Sequence, residues 1–123
     1  MRESRLKVAI FGTRFSETQH IDKTISIVKQ ILQKHPSSII ISGGAKGVDT
    51  VAEILARSNS MPVTVFLPDW DAHGQYAGLL RNKKIAKSAD IGYAIWDGKS
   101  TGTKHTIGLF KEMNKDCEVI ILE

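Results

Sequence analysis

Five short aliphatic runs, separated by longer segments with helical spacing, constrain this chain more than any other feature. The runs are Leu6 to Phe11, Ser37 to Ser42, Val63 to Leu67, Ile91 to Trp96 and Glu118 to Leu122. Each is nearly continuous in its apolar character, as expected of strands buried on both faces of a parallel sheet. Between the first two runs, Ile21, Ile25, Val28 and Leu32 recur at helical spacing, and Ile31 widens the stripe. Ser16-Glu17-Thr18-Gln19 has the form of a capping box at the start of that helix, and Pro36 stops it after about Lys34. Val48, Val51, Ala52 and Leu55 mark a second helix, and Leu79 to Ser88 a third. Thr103 to Asn114 is a fourth, with Ile107, Phe110 and Met113 inward. Asp69 to Gly78 reads as a loop. The alternation predicts a Rossmann-like, three-layer α/β domain with a mostly parallel five-stranded sheet, one domain over residues 1–123.

Right-handed crossovers put every strand-to-helix loop on the same edge of such a sheet, and ligands of open α/β sheets bind there. Four loops distant in sequence are thereby expected to converge. The first is Gly12-Thr13-Arg14-Phe15, where Arg14 either reaches an anion or is solvated. In the second, Gly43-Gly44-Ala45-Lys46-Gly47, glycines permit close backbone approach, and the following helix points free N–H groups at the same place. Phosphate is its natural occupant; a plain tight turn is the alternative. Asp49, in the first turn of that helix, is a cap or a ribose-hydroxyl acceptor. In the third loop, Pro68-Asp69-Trp70-Asp71, Trp70 either stacks on a base or packs the loop. The fourth is Asp97-Gly98-Lys99-Ser100-Thr101-Gly102, continued by Thr103; its amides, hydroxyls and lysine suit phosphate or ribose. Neither the P-loop order nor the dinucleotide fingerprint G-x-G-x-x-G occurs.

Composition narrows the class. With 41% hydrophobic and 24% charged residues, the chain is ordinary for a globular protein, and no run approaches a membrane span. Met1-Arg2-Glu3-Ser4-Arg5 leads straight into a strand without a signal-peptide pattern. The single cysteine, Cys117, borders an apolar run and reads as a buried, inert thiol. A cytoplasmic location is expected. The net charge of +4 suits an anionic ligand without requiring nucleic acid. Its densest part, Arg81-Asn82-Lys83-Lys84 with Lys87, reads as a solvated helix face. His20, His35, His73 and His105 lack metal-ligand spacing, so no metal site is expected.

Two longer stretches carry a resemblance: Val8-Ala9-Ile10-Phe11-Gly12-Thr13-Arg14-Phe15-Ser16 and Ile41-Ser42-Gly43-Gly44-Ala45-Lys46-Gly47-Val48-Asp49. With Leu67-Pro68-Asp69-Trp70, His73-Gly74, Arg81-Asn82 and Trp96 to Thr103, they resemble the SLOG superfamily, named for the Smf/DprA and Lonely Guy proteins. Within it they are similar to the YspA/YpsA-related group. The resemblance implies a Rossmann-like fold, a nucleotide or nucleotide-derived ligand, and a homodimer. Lonely Guy enzymes cleave the N-glycosidic bond of nucleoside monophosphates. Against their pattern Arg81 matches the arginine and Gly102-Thr103 the glycine-threonine pair, while Thr106 stands where their glutamate would. DNA-processing relatives imply single-stranded DNA as another partner.

The leading expectation is therefore binding of a nucleotide-type small molecule by a sensor, carrier or sequestering protein, with no resident cofactor. Arg14, Gly43, Gly44, Lys46, Ser100, Gly102 and Thr103 would hold phosphate and ribose, helped by Gly12, Thr13, Gly47, Asp49, Gly98 and Lys99. Trp70 or Asp69 would face the base, and Arg81 and Asn82 would lie near phosphate or sugar. The alternative is a nucleotide N-glycosidase with Asp97 or Asp69 as acid-base or nucleophile and Arg81 as electrostatic stabiliser. A second alternative is single-stranded DNA binding through the basic residues, with membrane partners excluded.

Overall fold

A computed structural model describes residues 5–14 and 18–123. The expected capping box rests on Ser16 and lies outside the described residues, as does Phe15. Five strands, β1 (Lys7–Gly12), β2 (Ile39–Ser42), β3 (Val63–Val65), β4 (Ile91–Trp96) and β5 (Cys117–Ile121), form one sheet in the order β3-β2-β1-β4-β5. Every pairing is parallel, with Val8 opposite both Ile40 and Ile91. The sheet is thus parallel throughout, where a mostly parallel one was expected.

Side-chain alternation along β1 divides the core in two. Val8 and Ile10 face α1 (Thr18–Lys34) and α2 (Val48–Ser58), packing with Val28, Leu32, Ala52 and Ala56. Ala9 and Phe11 face α4 (Ala77–Ser88) and α5 (Thr101–Glu112), packing with Ile85, Ala86 and Phe110. The small residues on this second face make room for one large ring. A Cβ on Gly92 would stand 2.8 Å from the Phe110 ring, which stacks on Phe11 with centroids 5.7 Å apart. Truncating the fully buried Phe110 to alanine would cost about 3–5 kcal/mol.

The segment expected as a loop from Asp69 to Gly78 is helical instead. It forms a short α3 (Trp70–His73), a 3-10 turn over Gly74–Tyr76, and the first residues of α4. The cause is local: the Asp69 carboxylate accepts the Ala72 N–H at 3.0 Å, an N-cap, and Gly74 leaves α3 at φ 54°. Likewise α5 begins at Thr101, two residues before the expected start, and ends at Glu112. At the far end of α4, the Lys115 ammonium donates to the carbonyls of Ala86, Lys87 and Ala89 at 2.7–2.8 Å, so one side chain caps the helix.

Candidate ligand-binding cleft

The strand order reverses at β1 and β4: β1 leads to the α1–α2 face, and β4 to the α4–α5 face. Neighbouring loops leave in opposite directions there, which opens a crevice beyond the strand ends. A cleft of about 460 Å³ occupies this point. That volume lies in the range of small-molecule sites.

Gly12 holds the floor of the cleft closed. A Cβ there would stand 2.0 Å from the Ile95 carbonyl oxygen, so only glycine allows β1 and β4 to meet this closely. The next amide, Thr13 N–H, bonds that same oxygen at 3.0 Å. The Thr13 hydroxyl accepts the Asp97 N–H at 2.9 Å, tying the first loop to the fourth. Gly12, Thr13 and Arg14 all line the cleft.

The second loop behaves differently. Asp49 is 4% exposed, and its Oδ1 accepts the Gly12 N–H at 3.3 Å. Its Oδ2 accepts the Gly43 N–H at 3.1 Å and the Ala45 N–H at 3.5 Å. Two of the amides expected to cradle phosphate are thus turned onto the chain's own carboxylate. Gly43, Gly44, Lys46 and Gly47 lie outside the cleft wall, which this loop reaches only through Ala45 and Asp49. Gly44, at φ 70°, packs under Leu67, where a Cβ would come within 2.5 Å of the side chain. Burial raises the Asp49 carboxyl to about 6, against the opposing pull of the backbone N–H groups and the Arg81 cation.

Arg81 and Asn82 turn inward, so the basic segment is not a uniform solvated face. Lys83, Lys84 and Lys87 are exposed; Arg81 is half-buried and Asn82 buried. An Arg81 Nη1–H donates to the Gly43 carbonyl, and Nε–H donates to Asn82 Oδ1 at 2.9 Å. Asn82 Nδ2 meets His105 Nδ1 at 3.3 Å, joining α4 to α5. Burial pulls the Arg81 pKa down, Asp49 opposes that, and Arg14 adds to it, so the two arginines feel one another across the site. Arg81 keeps its charge, as a guanidinium does.

The fourth loop is organised by Asp97, whose Oδ1 accepts the N–H groups of Lys99 and Ser100, each at 2.8 Å. These bonds hold its carboxyl below the usual range. Ser100 precedes α5 without a side-chain cap, and its carbonyl accepts the Lys104 N–H. The N–H groups of the first helical turn have no acceptor four residues back, and Thr101, Gly102 and Thr103 line the cleft. The Ser100 and Thr103 hydroxyls are 3.2 Å apart beside them. Gly98 and Lys99 do not line the cleft. The lining also includes the apolar Phe11, Trp70, Leu79 and Ile85, with Trp70 55% exposed.

Of the residues singled out in sequence, the fold brings together Gly12, Thr13, Arg14, Asp49, Trp70, Arg81, Asn82, Asp97, Ser100, Gly102 and Thr103. Asp69 is not among the lining residues; it caps α3. Sequence reasoning missed Gln75, Gly78, Leu79 and Ile85, and named Thr106 only as the residue standing where the Lonely Guy glutamate would. Thr106 carried a signal, standing one turn after Gly102 on the same face of α5, and its hydroxyl donates to the Gly102 carbonyl at 3.0 Å. Burial raises the Cys117 thiol to about 11, far from this site's chemistry. Among the described residues no helix is long and apolar enough to cross a membrane, and no group of three His, Cys, Asp or Glu side chains could hold a metal.

Sheet order and cleft position define a Rossmann-like α/β protein with its crevice at the strand-order reversal. The chain belongs to the YspA, cpYpsA-related SLOG family, whose model matches residues 7–73, more than half of its length. Gene 61 protein of Mycobacterium phage D29 is 38% identical over 73 residues, covering 54% of this chain and 58% of the phage protein. The chain therefore spans less than two thirds of that relative. Among solved structures, DNA processing protein A from Streptococcus pneumoniae superposes with a TM-score of 0.78 at 21% identity, covering 97% of this chain and 51% of that one. The Moco carrier protein from Chlamydomonas reinhardtii gives 0.67 at 15% identity, covering 95% and 76%. At these identities the structural likeness is one of fold.

Proposed function

We propose that the cleft binds a nucleotide or nucleotide-derived small molecule, with its phosphate at the first turn of α5 and its base along the Trp70–Leu79 wall. One observation carries the reading: the open N–H groups of α5 share a cleft with Arg14 and Arg81 and with the apolar Trp70 and Leu79. Groups suited to an anion and to a planar apolar ring thus line one space. The Thr13, Ser100 and Thr103 hydroxyls and the Asn82 amide suit ribose. Asp49 acts as the builder of the site, since its oxygens are spent on backbone N–H groups. The likeness to a carrier of a small cofactor is compatible with this use of the fold.

The same geometry supports binding over N-glycoside cleavage. Asp97 is engaged by two amides and held in its charged form, and Asp69 caps α3 away from the cleft. Neither is placed as a free general acid. Nucleic acid is the second reading, favoured by one observation. Residues 81–111 hold seven basic and two acidic residues, a net +5 against +4 for the whole chain. Lys83, Lys84, Lys87, Lys104 and Lys111 are exposed on α4 and α5.

Thermal unfolding with nucleoside monophosphates, dinucleotides, ADP-ribose and a thymidine oligomer, at two salt concentrations, separates the readings. A small-molecule ligand at 100 times its Kd should add about 2.7 kcal/mol of stability. Saturable stabilisation by a nucleotide, without release of free base, is the expected result. A response to the oligomer alone, falling steeply with salt, would replace it with the second reading.

A further inference from the structure

The guanidinium of Arg81 is held at two points. Nη1–H donates to the Gly43 carbonyl, and Nε–H donates to Asn82 Oδ1 at 2.9 Å. A Cβ on Gly43 would stand 2.9 Å from Nη1, so glycine makes room for the first contact. The remaining N–H donors of the guanidinium are left for a ligand. Burial works against this cation, and Arg14 repels it. Its pose in the cleft wall therefore depends on the hydrogen bonds that hold it.

The second contact works only while the Asn82 amide points one way. Asn82 is buried, and its side chain has an accepting end and a donating end. An arginine Nε–H can only donate, so Oδ1 must face Arg81. The amide nitrogen then faces α5, where Nδ2 meets His105 Nδ1 at 3.3 Å. An amide nitrogen can only donate, so His105 Nδ1 must accept. The ring in this arrangement is neutral, with its proton on Nε2. Were Nδ1 protonated, two donors would meet. Turning the amide over to relieve that would set its NH2 group against the Arg81 Nε–H.

His105 is not among the residues lining the cleft, whereas Arg81, Asn82 and Thr106 are. We infer that His105 is a positioning residue for the cleft: accepting from Asn82 in one tautomer, it fixes the amide whose oxygen aims Arg81 at the anionic group of the ligand. The polarity runs one way, from Arg81 through Asn82 to His105, and links α4 to α5 behind the wall. The ligand part of the inference rests on the nucleotide-binding reading of the cleft. The tautomer and the order of Arg81 do not.

Nitrogen-15 NMR of the ligand-free chain at about pH 8 reads the first link. His105 should show a bare Nδ1 and a protonated Nε2; a proton on Nδ1 overturns the inference. The second link is read from the Arg81 Nε–H, whose exchange with solvent should be slow in the wild type. His105→Phe keeps a ring and removes the acceptor, so this exchange should quicken by about tenfold. His105→Asn, with a carbonyl oxygen near the place of Nδ1, should restore it. Titration calorimetry with AMP and ADP-ribose should give the same order for whichever binds the wild type more tightly. Affinity should be about tenfold weaker in His105→Phe and within about threefold of wild type in His105→Asn. A side chain that served packing alone would leave the phenylalanine variant closer to wild type than the asparagine one, and that order overturns the inference. Binding of neither nucleotide overturns the ligand part alone, and the NMR readouts then decide whether His105 orients Arg81. Should the phenylalanine variant fail to fold, the wild-type tautomer decides.

Discussion

The Gly43 N–H donates to Asp49 Oδ2 at 3.1 Å, and a Cβ on Gly43 would stand 3.0 Å from that same oxygen. This contact converts a glycine-rich turn with the look of a phosphate cradle into an internal brace. The brace joins β1, through Gly12, to the second loop, and Arg81 closes it from α4 by reaching the Gly43 carbonyl.

Asp49→Ala should therefore act on the fold before it acts on any ligand. It strands three backbone donors and leaves Arg81 without its buried counter-charge. A loss on the order of 3 kcal/mol is expected, read as a drop in Tm on the order of 10 °C. A Tm within a degree or two of wild type would contradict the brace.

The pH dependence has a definite sign. Folding raises the Asp49 carboxyl from 3.8 to about 6, so between those values the native state binds the additional proton. Its contribution to stability grows as pH falls from 7 towards 4 and is lost again as pH rises through 6. His35, pulled down from 6.5 by burial, acts in the opposite direction. Subtracting Asp49→Asn isolates the carboxyl. From pH 7 to pH 5, wild type should gain on the order of 1 kcal/mol relative to that variant in denaturant melts. A flat difference would show that Asp49 is not raised.

Gly102→Ala separates binding from folding. Nothing lies within 4 Å of a Cβ at this position, which lines the cleft at the start of α5. Alanine in place of a helical glycine should leave stability unchanged or raise it by up to about 1 kcal/mol. The added methyl group intrudes on the proposed phosphate position, so nucleotide affinity should fall by about tenfold or more in titration calorimetry.

Gly12→Ala is the opposite case. Its Cβ would meet the Ile95 carbonyl oxygen at 2.0 Å, and backbone cannot swing aside as a side chain can. Separating β1 from β4 should cost more than about 3 kcal/mol and abolish binding together with cooperative unfolding.

Lys115→Met tests the cap on α4. Three charge-assisted hydrogen bonds to carbonyls disappear while the aliphatic stem is kept. A loss of about 1–2 kcal/mol is expected, with faster hydrogen exchange confined to the last turn of α4.

Much of this architecture was legible because strands buried on both faces leave continuous apolar runs such as Val8 to Phe11 and Ile39 to Ile41. The segment from Asp69 to Gly78 was not, because a four-residue helix has too little length for apolar periodicity; its cap, Asp69, looks the same in a loop. Arg81 and Lys84 are both basic residues of one short segment, yet one lies in the cleft wall and the other in water. Helix rotation against the sheet decides that difference.

The amino-acid order by itself determined the alternation of strands and helices, the parallel sheet that follows from it, and the meeting of distant loops at one edge. Those are consequences of local periodicity and of the handedness of crossovers, which any reading of the chain can apply. The tertiary structure alone decided where the polar groups of those loops are used. The Gly43 and Ala45 amides go inward to Asp49, those of Lys99 and Ser100 go to Asp97, and the first turn of α5 stays open. A hydrogen-bond donor has the same chemistry wherever it stands. Whether it serves the protein or a ligand depends on which acceptor the packed fold brings within 3 Å or so of it.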